Sequence, residues 1–301
     1  MAMRVGFSTI CCPAWDLKTI FEHAVRLGFD GLEFRGLQGE LHLPNHVELA
    51  RNGDVLLEVC QKTNVELVCL GTSASFGSRN KQVLGDNKAV VREHVELAQS
   101  LRCSRVRVFT GDIPSGSDRL GTLGRIVEAL EDLAHFAARR KVTLLIENSG
   151  ELASSKDLWF VLDAVQHPAL VACWNPVNGL SVGDRTTIAI PRLGSRLGLV
   201  HVSDAAFAGS SMEGYQPLGE GDVDIPTLVE LLTGITYDGY LMVEWPKLWD
   251  SSLADAETVL PKSIEYLRGL LNAERKPLSA YKGDKSPVKF ADRGPSVTAQ
   301  A

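Results

Sequence analysis

Short apolar, β-branched runs alternate with amphipathic stretches along almost the whole chain, and each run stops at a polar or glycine-bearing break. The runs lie at residues 5–10, 31–35 (GLEFR), 65–70 (VELVCL), 105–109 (RVRVF), 142–147 (VTLLIE), 170–174 (LVACW), 197–202 (LGLVHV) and 239–245 (GYLMVEW). Helical spacing follows each: 17–27 behind a capping Asp16 and closed by Gly28, then 45–63, 89–101, 119–140, 156–165, a weaker 186–194, 225–233 and 254–271. Strands alternating with helices, with no hairpin signal between them, imply a parallel sheet. Eight such units predict a sheet closed on itself, a single α/β (β/α)8 TIM barrel. The alternative, an open doubly wound sheet, lacks a GxGxxG after the first strand.

At 301 residues the chain accommodates one such barrel, which we place at residues 1–272. Residues 273–301 are polar, basic and proline-bearing, and predict a C-terminal extension with little core of its own. The formal net charge of −6 offers no general attraction to phosphate backbones, so nucleic acid is not an expected partner. The six cysteines form no CxxC and sit in apolar patterns, as small buried hydrophobes of a reduced protein would. The N-terminus lacks a basic region and a small-residue cleavage site, and no run is long enough to span a membrane. Together these predict a cytoplasmic protein with no membrane contact.

In a barrel the chemistry sits where the strands end. Glu147 follows Leu-Leu-Ile and Glu244 follows Leu-Met-Val, each a carboxylate closing a buried run. Such a charge is costly unless it is paired, hydrogen-bonded or bound to a metal. His201 closes the seventh run, while the sixth delivers the amides Asn175 and Asn178 in WNPVN. Two carboxylates, an imidazole and an amide carbonyl make a mixed nitrogen–oxygen donor set, suited to Mn²⁺, Mg²⁺, Co²⁺ or Zn²⁺. Other strand ends carry Arg35, Asp204 and Lys247, which with Asn178 are the expected substrate contacts. Pairing of Arg35 with Glu33 or Glu40, and a plain rim position for Lys247, are the structural alternatives. His42 and His46 fall in the second βα loop, and Asn45 with Glu48 reads as a helix capping box. The loop PLGEGDVDIP is too acidic for a phosphate cradle, which favours a non-phosphorylated substrate.

Taken in order, GFDGLEFRG, LLIEN, HVSD, PLGEGDVDIP and YDGYLMVEW resemble the xylose isomerase-like TIM barrels, over about residues 4–271. This sugar phosphate isomerase/epimerase superfamily includes hydroxypyruvate isomerases, ketose 3-epimerases, inosose dehydratases and abasic-site endonucleases. The resemblance implies a divalent-metal site at Glu147, Asn175, His201 and Glu244. Position 175 departs from the pattern, since members carry aspartate there. Ser149 and Ser203 likewise replace a histidine and a lysine found in other members. Asn for Asp keeps a carbonyl oxygen but removes a charge, so metal affinity should fall and Lewis acidity rise.

The chemistry implied is isomerisation or epimerisation of a small sugar, keto-sugar or cyclitol. Glu147 or Glu244 would move the proton alpha to a carbonyl through an enediolate. A lyase or dehydratase acting on a 3-oxo-glycoside or inosose shares the first half of that reaction. A non-catalytic sugar-binding relative is the reading from outside catalysis. The multi-zinc nucleases of the family are the least favoured reading, given the shortage of histidines and of basic charge. The expected partner is a small carbohydrate, and the resemblance also implies a homodimer.

Overall fold

The computed structural model describes residues 3–51 and 53–274. Its strands are β1 (Arg4–Ser8), β2 (Gly31–Phe34), β3 (Glu66–Ser75), β4 (Arg105–Phe109), β5 (Thr143–Glu147), β6 (Leu170–Trp174), β7 (Leu197–Val202), β8 (Asp204–Ala208), β9 (Ser211–Gln216) and β10 (Tyr240–Val243). Eight of them close a parallel barrel in the order β1-β2-β3-β4-β5-β6-β7-β10, with β10 returning to β1. Their helices are α1 (Leu17–Leu27), α2 (Val47–Arg51), α3 (Gly53–Thr63), α4 (Lys81–Ser100), α5 (Arg119–Ala138), α6 (Ser155–Val165), α7 (Pro176–Ser181), α8 (Thr186–Leu193), α9 (Ile225–Gly234) and α10 (Ala256–Glu274). The (β/α)8 barrel expected from the alternation is the architecture observed.

Two layers of core follow from the pleat, because successive side chains point to opposite faces of a strand. Outward residues such as Val106, Val108, Leu144, Ile146, Val200 and Val202 pack beneath the helices. Inward residues Val68, Cys69, Leu145, Cys173, Leu199, Tyr240 and Met242 form a second cluster that plugs the barrel below its C-terminal rim. Gly31 makes room for that plug: a Cβ there would lie 2.5 Å from Val68 Cγ2 and 2.7 Å from Tyr240 Cε1. Side-chain caps punctuate the helices, Asp16 accepting from Thr19 N–H at 2.8 Å as the sequence predicted, and Asp224 from Thr227 N–H at 3.0 Å.

Three local expectations are corrected. The Gly/Ser segment after the seventh barrel strand is an antiparallel hairpin, β8 with β9, turning at Gly209 with φ +66°. Its alanines and serines carry no period-2 apolar signal. Strand β3 runs on through Ser75, with a register shift between Gly71 and Ser75, where a loop was expected. Asn45 ends a 3-10 turn, Leu43–Asn45, and α2 begins at Val47, so no capping box starts at Asn45. Helix α10 continues through Glu274, and the remainder of the expected extension lies outside the described residues. All six cysteines are free. Among the described residues no helix is long and apolar enough to cross a membrane.

Candidate active site

The C-terminal rim gathers three carboxylates, the buried Glu33 from β2 and Glu147 from the last position of β5, and the half-buried Glu244 just after β10. Between them lies His201 of β7, fully buried. Its Nε2 is 2.9 Å from Glu33 Oε2, and Ser8 Oγ donates to the other Glu33 oxygen at 3.1 Å. Its Nδ1 faces Glu147 Oε1 at 3.1 Å and Glu244 Oε1 at 3.4 Å, with no hydrogen-bond partner of good alignment. Donation from Nε2–H to Glu33 leaves the Nδ1 lone pair directed at two carboxylate oxygens. Among the described residues the ligand atoms close enough to share a cation fall in two overlapping groups, Glu33, His201 and Glu244, and Glu147, Cys173 and His201, so a donor set for a divalent metal centres on His201. Glu33 would hold the imidazole in its ligating tautomer.

Asn175 takes a different part from the one its position suggests. Its Oδ1 accepts the N–H groups of Val177 and Asn178, at 3.1 and 3.5 Å, and so caps α7. Its Nδ2 donates to Glu147 Oε1 at 3.2 Å and to Glu244 Oε2 at 3.0 Å. The two ends fix the amide's orientation, because a flip would set N–H against N–H and oxygen against carboxylate. The group is further held by its backbone: Asn148 accepts from Asn175 N–H at 2.7 Å and donates to its carbonyl at 2.9 Å. In this arrangement Asn175 offers hydrogens, and no free carbonyl, to the metal position.

Arg107, on β4 and 1% exposed, lies under the carboxylates. Its Nε is 3.1 Å from Glu147 Oε2 and an Nη is 3.7 Å from Glu33 Oε1, while Nη1 donates to Thr72 O at 3.0 Å. Burial pushes Glu33 and Glu147 up, but His201 and Arg107 outweigh it and hold both below the ordinary carboxylate range, Glu33 at about 2. For Glu244 burial wins and drives it up to about 7, with Glu147 and Glu33 adding to the rise against the pull of His201. Burial alone would lower His201, yet the acidic groups around it, Cys173, Glu244, Glu147 and Glu33, raise it well above its usual value. The Cys173 thiol is itself pushed up to about 12 by burial and stays neutral, so the carboxylates carry that effect.

The expected substrate contacts separate. Arg35 stands beside Arg107, where a Cβ on Gly71 would meet Arg35 Cδ at 2.7 Å and Arg107 Nη2 at 2.9 Å. Lys247 is turned to the rim, its Nζ shared among Ser251 O, Leu253 O and Asp255 Oδ1. Asp204 is filled by four backbone N–H groups, of Ala205, Gly219, Gly221 and Val223, at 2.9–3.0 Å. It anchors the PLGEGDVDIP loop. Asn178 donates to Asn148 O at 2.8 Å, tying the ends of β5 and β6 together. His42 pairs with Glu93 of α4 at 2.6 Å.

Glu33 and Arg107 were not singled out in the sequence, although the charge inside each apolar run, GLEF and RVRVF, was there to be read. Tyr215, on the unforeseen hairpin, also escaped notice. Burial, with the charges of Glu244 and Glu147, pushes its hydroxyl up to about 12, so it remains a neutral donor.

The model of the xylose isomerase-like TIM barrel family matches residues 21–270. The chain belongs to that family. No curated protein sequence matches it. Among solved structures it is similar to the IolI protein with a bound zinc atom, at 16% identity and TM-score 0.76, covering 90% of this chain and 99% of that one. It is also similar to the probable 3-DHS dehydratase AsbF of Bacillus anthracis, at 15% identity and TM-score 0.74, covering 88% and 99%. A D-allulose 3-epimerase from Methylomonas sp., in complex with D-allulose, matches at 18% identity and TM-score 0.72 over 89% and 97%. These identities establish the fold, and this family member's chemistry has to be argued from its own rim.

Proposed function

We propose that the chain is a divalent-metal-dependent isomerase or epimerase of a small sugar, keto-sugar or cyclitol, working by proton transfer alpha to a carbonyl. The observation that carries this reading is the unshared Nδ1 of buried His201 aimed at Glu147 and Glu244. Glu147, His201 and Glu244 hold the ion, which when bound supplies Lewis acidity toward a carbonyl and a neighbouring hydroxyl. Mn²⁺, Mg²⁺, Co²⁺ and Zn²⁺ all suit the donors. Asn175 acts as an orienting donor to both carboxylates.

Glu147 is pinned by Arg107, Asn175 and His201, whereas Glu244 is the more open carboxylate, its side chain 13% exposed. Glu244 is therefore the group that takes the proton from the carbon alpha to the carbonyl and returns it to carbon.

The fold likeness to an epimerase and to a probable dehydratase, at closely similar TM-scores, keeps elimination as a second outcome of the same first step. The test is deuterium uptake from D2O into ketoses, inososes and 3-oxo-glycosides, followed by mass spectrometry with each metal added in turn. Exchange at the alpha carbon with a rearranged ketose supports the isomerase, and release of water or aglycone reassigns it as a lyase. No exchange into any carbonyl compound would refute the chemistry and leave a sugar-binding protein. Glu244→Gln should lose exchange by at least ~100-fold even when metal is added in large excess to offset its weaker binding.

A further inference from the structure

Arg35 is a buried cation without a counter-ion. Its residue is 4% exposed, and among the described residues no carboxylate lies within ion-pair distance of it. The pairing with Glu33 or Glu40 open to it in the sequence does not form. Glu33 is taken by His201, Ser8 and Arg107, and Glu40 accepts from His42 N–H. One guanidinium nitrogen, Nη2, donates to Ser73 Oγ at 2.5 Å, while Nη1 is buried with no partner at all. The Trp249 ring covers the group at 5.4 Å from its centroid, and Gly71 lets it lie against Arg107.

An unpaired buried charge with an unused donor is costly, and proteins keep one where a ligand completes it. With the metal of the proposed function present and His201 neutral, three glutamates face two arginines and a divalent ion. The rim then carries one positive charge in excess. A neutral sugar would leave both the charge and Nη1 uncompensated.

We infer that Arg35 receives an anionic group of the substrate, a carboxylate or phosphate, so that the true substrate is a small hydroxy-ketone bearing one anionic group. This rests on the proposed chemistry for its charge count, and on the unpaired guanidinium for its location. Arg35 is then the residue that sets specificity, and Arg107 alongside supports the carboxylates.

The test uses three inert probes of one carbon skeleton, glycerol, D-glycerate and glycerol 3-phosphate, titrated calorimetrically into the full chain with Mg²⁺ present. At least one anion should bind ten times or more as tightly as glycerol. An anion can also bind at the metal, so dependence on Arg35 is the deciding readout. Arg35→Gln should bring the three probes to within about twofold of one another, and Arg35→Lys, which keeps the charge but loses the fork, should retain part of the preference.

Preference for glycerate identifies a hydroxy-keto acid, and preference for glycerol 3-phosphate a phosphorylated ketose. Equal binding of all three to the natural protein, or an anion preference that survives in Arg35→Gln, overturns the inference. If Arg35→Gln does not fold, an Arg35→Lys protein with the full preference of the natural one does the same. None of the probes has a ketone or aldehyde group to undergo the proton transfer, so failure here leaves the deuterium-exchange result standing, and failure of exchange leaves this one.

Discussion

At the scale of single residues, position 175 decides how this rim handles charge. An aspartate there would still cap α7, because its oxygen can accept the same N–H groups. It could not donate to Glu147 and Glu244, and would set a third carboxylate against them. Asn175→Asp should therefore destabilise the metal-free protein, on the order of 2 kcal/mol, and bind metal at least about tenfold more tightly. Thermal melts in EDTA and in added Mn²⁺ would display both, as a lower Tm without metal and a larger rise with it. Equal metal affinity in the two proteins would place the ion away from this amide. Glu33 acts on the same site through the imidazole it orients. Glu33→Gln should weaken metal binding about 10- to 100-fold by calorimetry, with the ligating residues untouched.

At the scale of elements, the strand-to-loop joints carry the site. Asp204 shows how a carboxylate that reads as a substrate contact can serve its own backbone. With four N–H groups on it, Asp204→Asn should cost about 2 kcal/mol and lower Tm by about 4–8 °C, since an amide nitrogen would face Gly219 or Gly221 N–H. Chemical denaturation monitored by tryptophan fluorescence would give the value.

The elements themselves were legible where burial on both faces forced continuous apolar runs, as in LLIE, LVACW and LGLVHV, and where Asp16 and Gly28 marked helix ends. Legibility failed where side chains are small. DAAFA and GTSAS carry no pattern, because these strands are held by backbone pairing and not by apolar side chains. The site was read through Glu147, His201 and Glu244 for the same reason as the strands: charges closing apolar runs stand out. Arg107 did not, since RVRVF alternates as a half-exposed strand would, and nothing local says that its arginine points into a barrel.

At the scale of the whole molecule, acid stability should follow a group outside the rim. His94 of α4 is buried, its Nδ1–H donating to Val90 O at 2.8 Å and its Nε2 without a partner. Burial, with His42 and Arg35 nearby, lowers it to about 4, against the help of the Val90 hydrogen bond. Unfolded chains protonate this histidine near 6.5. Between 6.5 and 4 the unfolded state thus holds one more proton, and stability falls as the pH drops through that window. The loss is about 3 kcal/mol, fully present as stability above pH 6.5. His94→Gln should flatten that slope in urea titrations between pH 7 and 4.5. An unchanged slope would mean that the acid sensitivity arises elsewhere.

Strand β10 pairs with β7 on one side and with β1 on the other, and Glu244 is the next residue after its last. During synthesis, then, the first strand waits for the last. A chain stalled or clipped before residue 240 has two bare sheet edges, ready to pair with other chains, and lacks the third carboxylate of the rim. The same hydrogen bonds that close the ring bring Glu244 to the rim beside His201, so a truncated product is aggregation-prone and left with an unfinished rim.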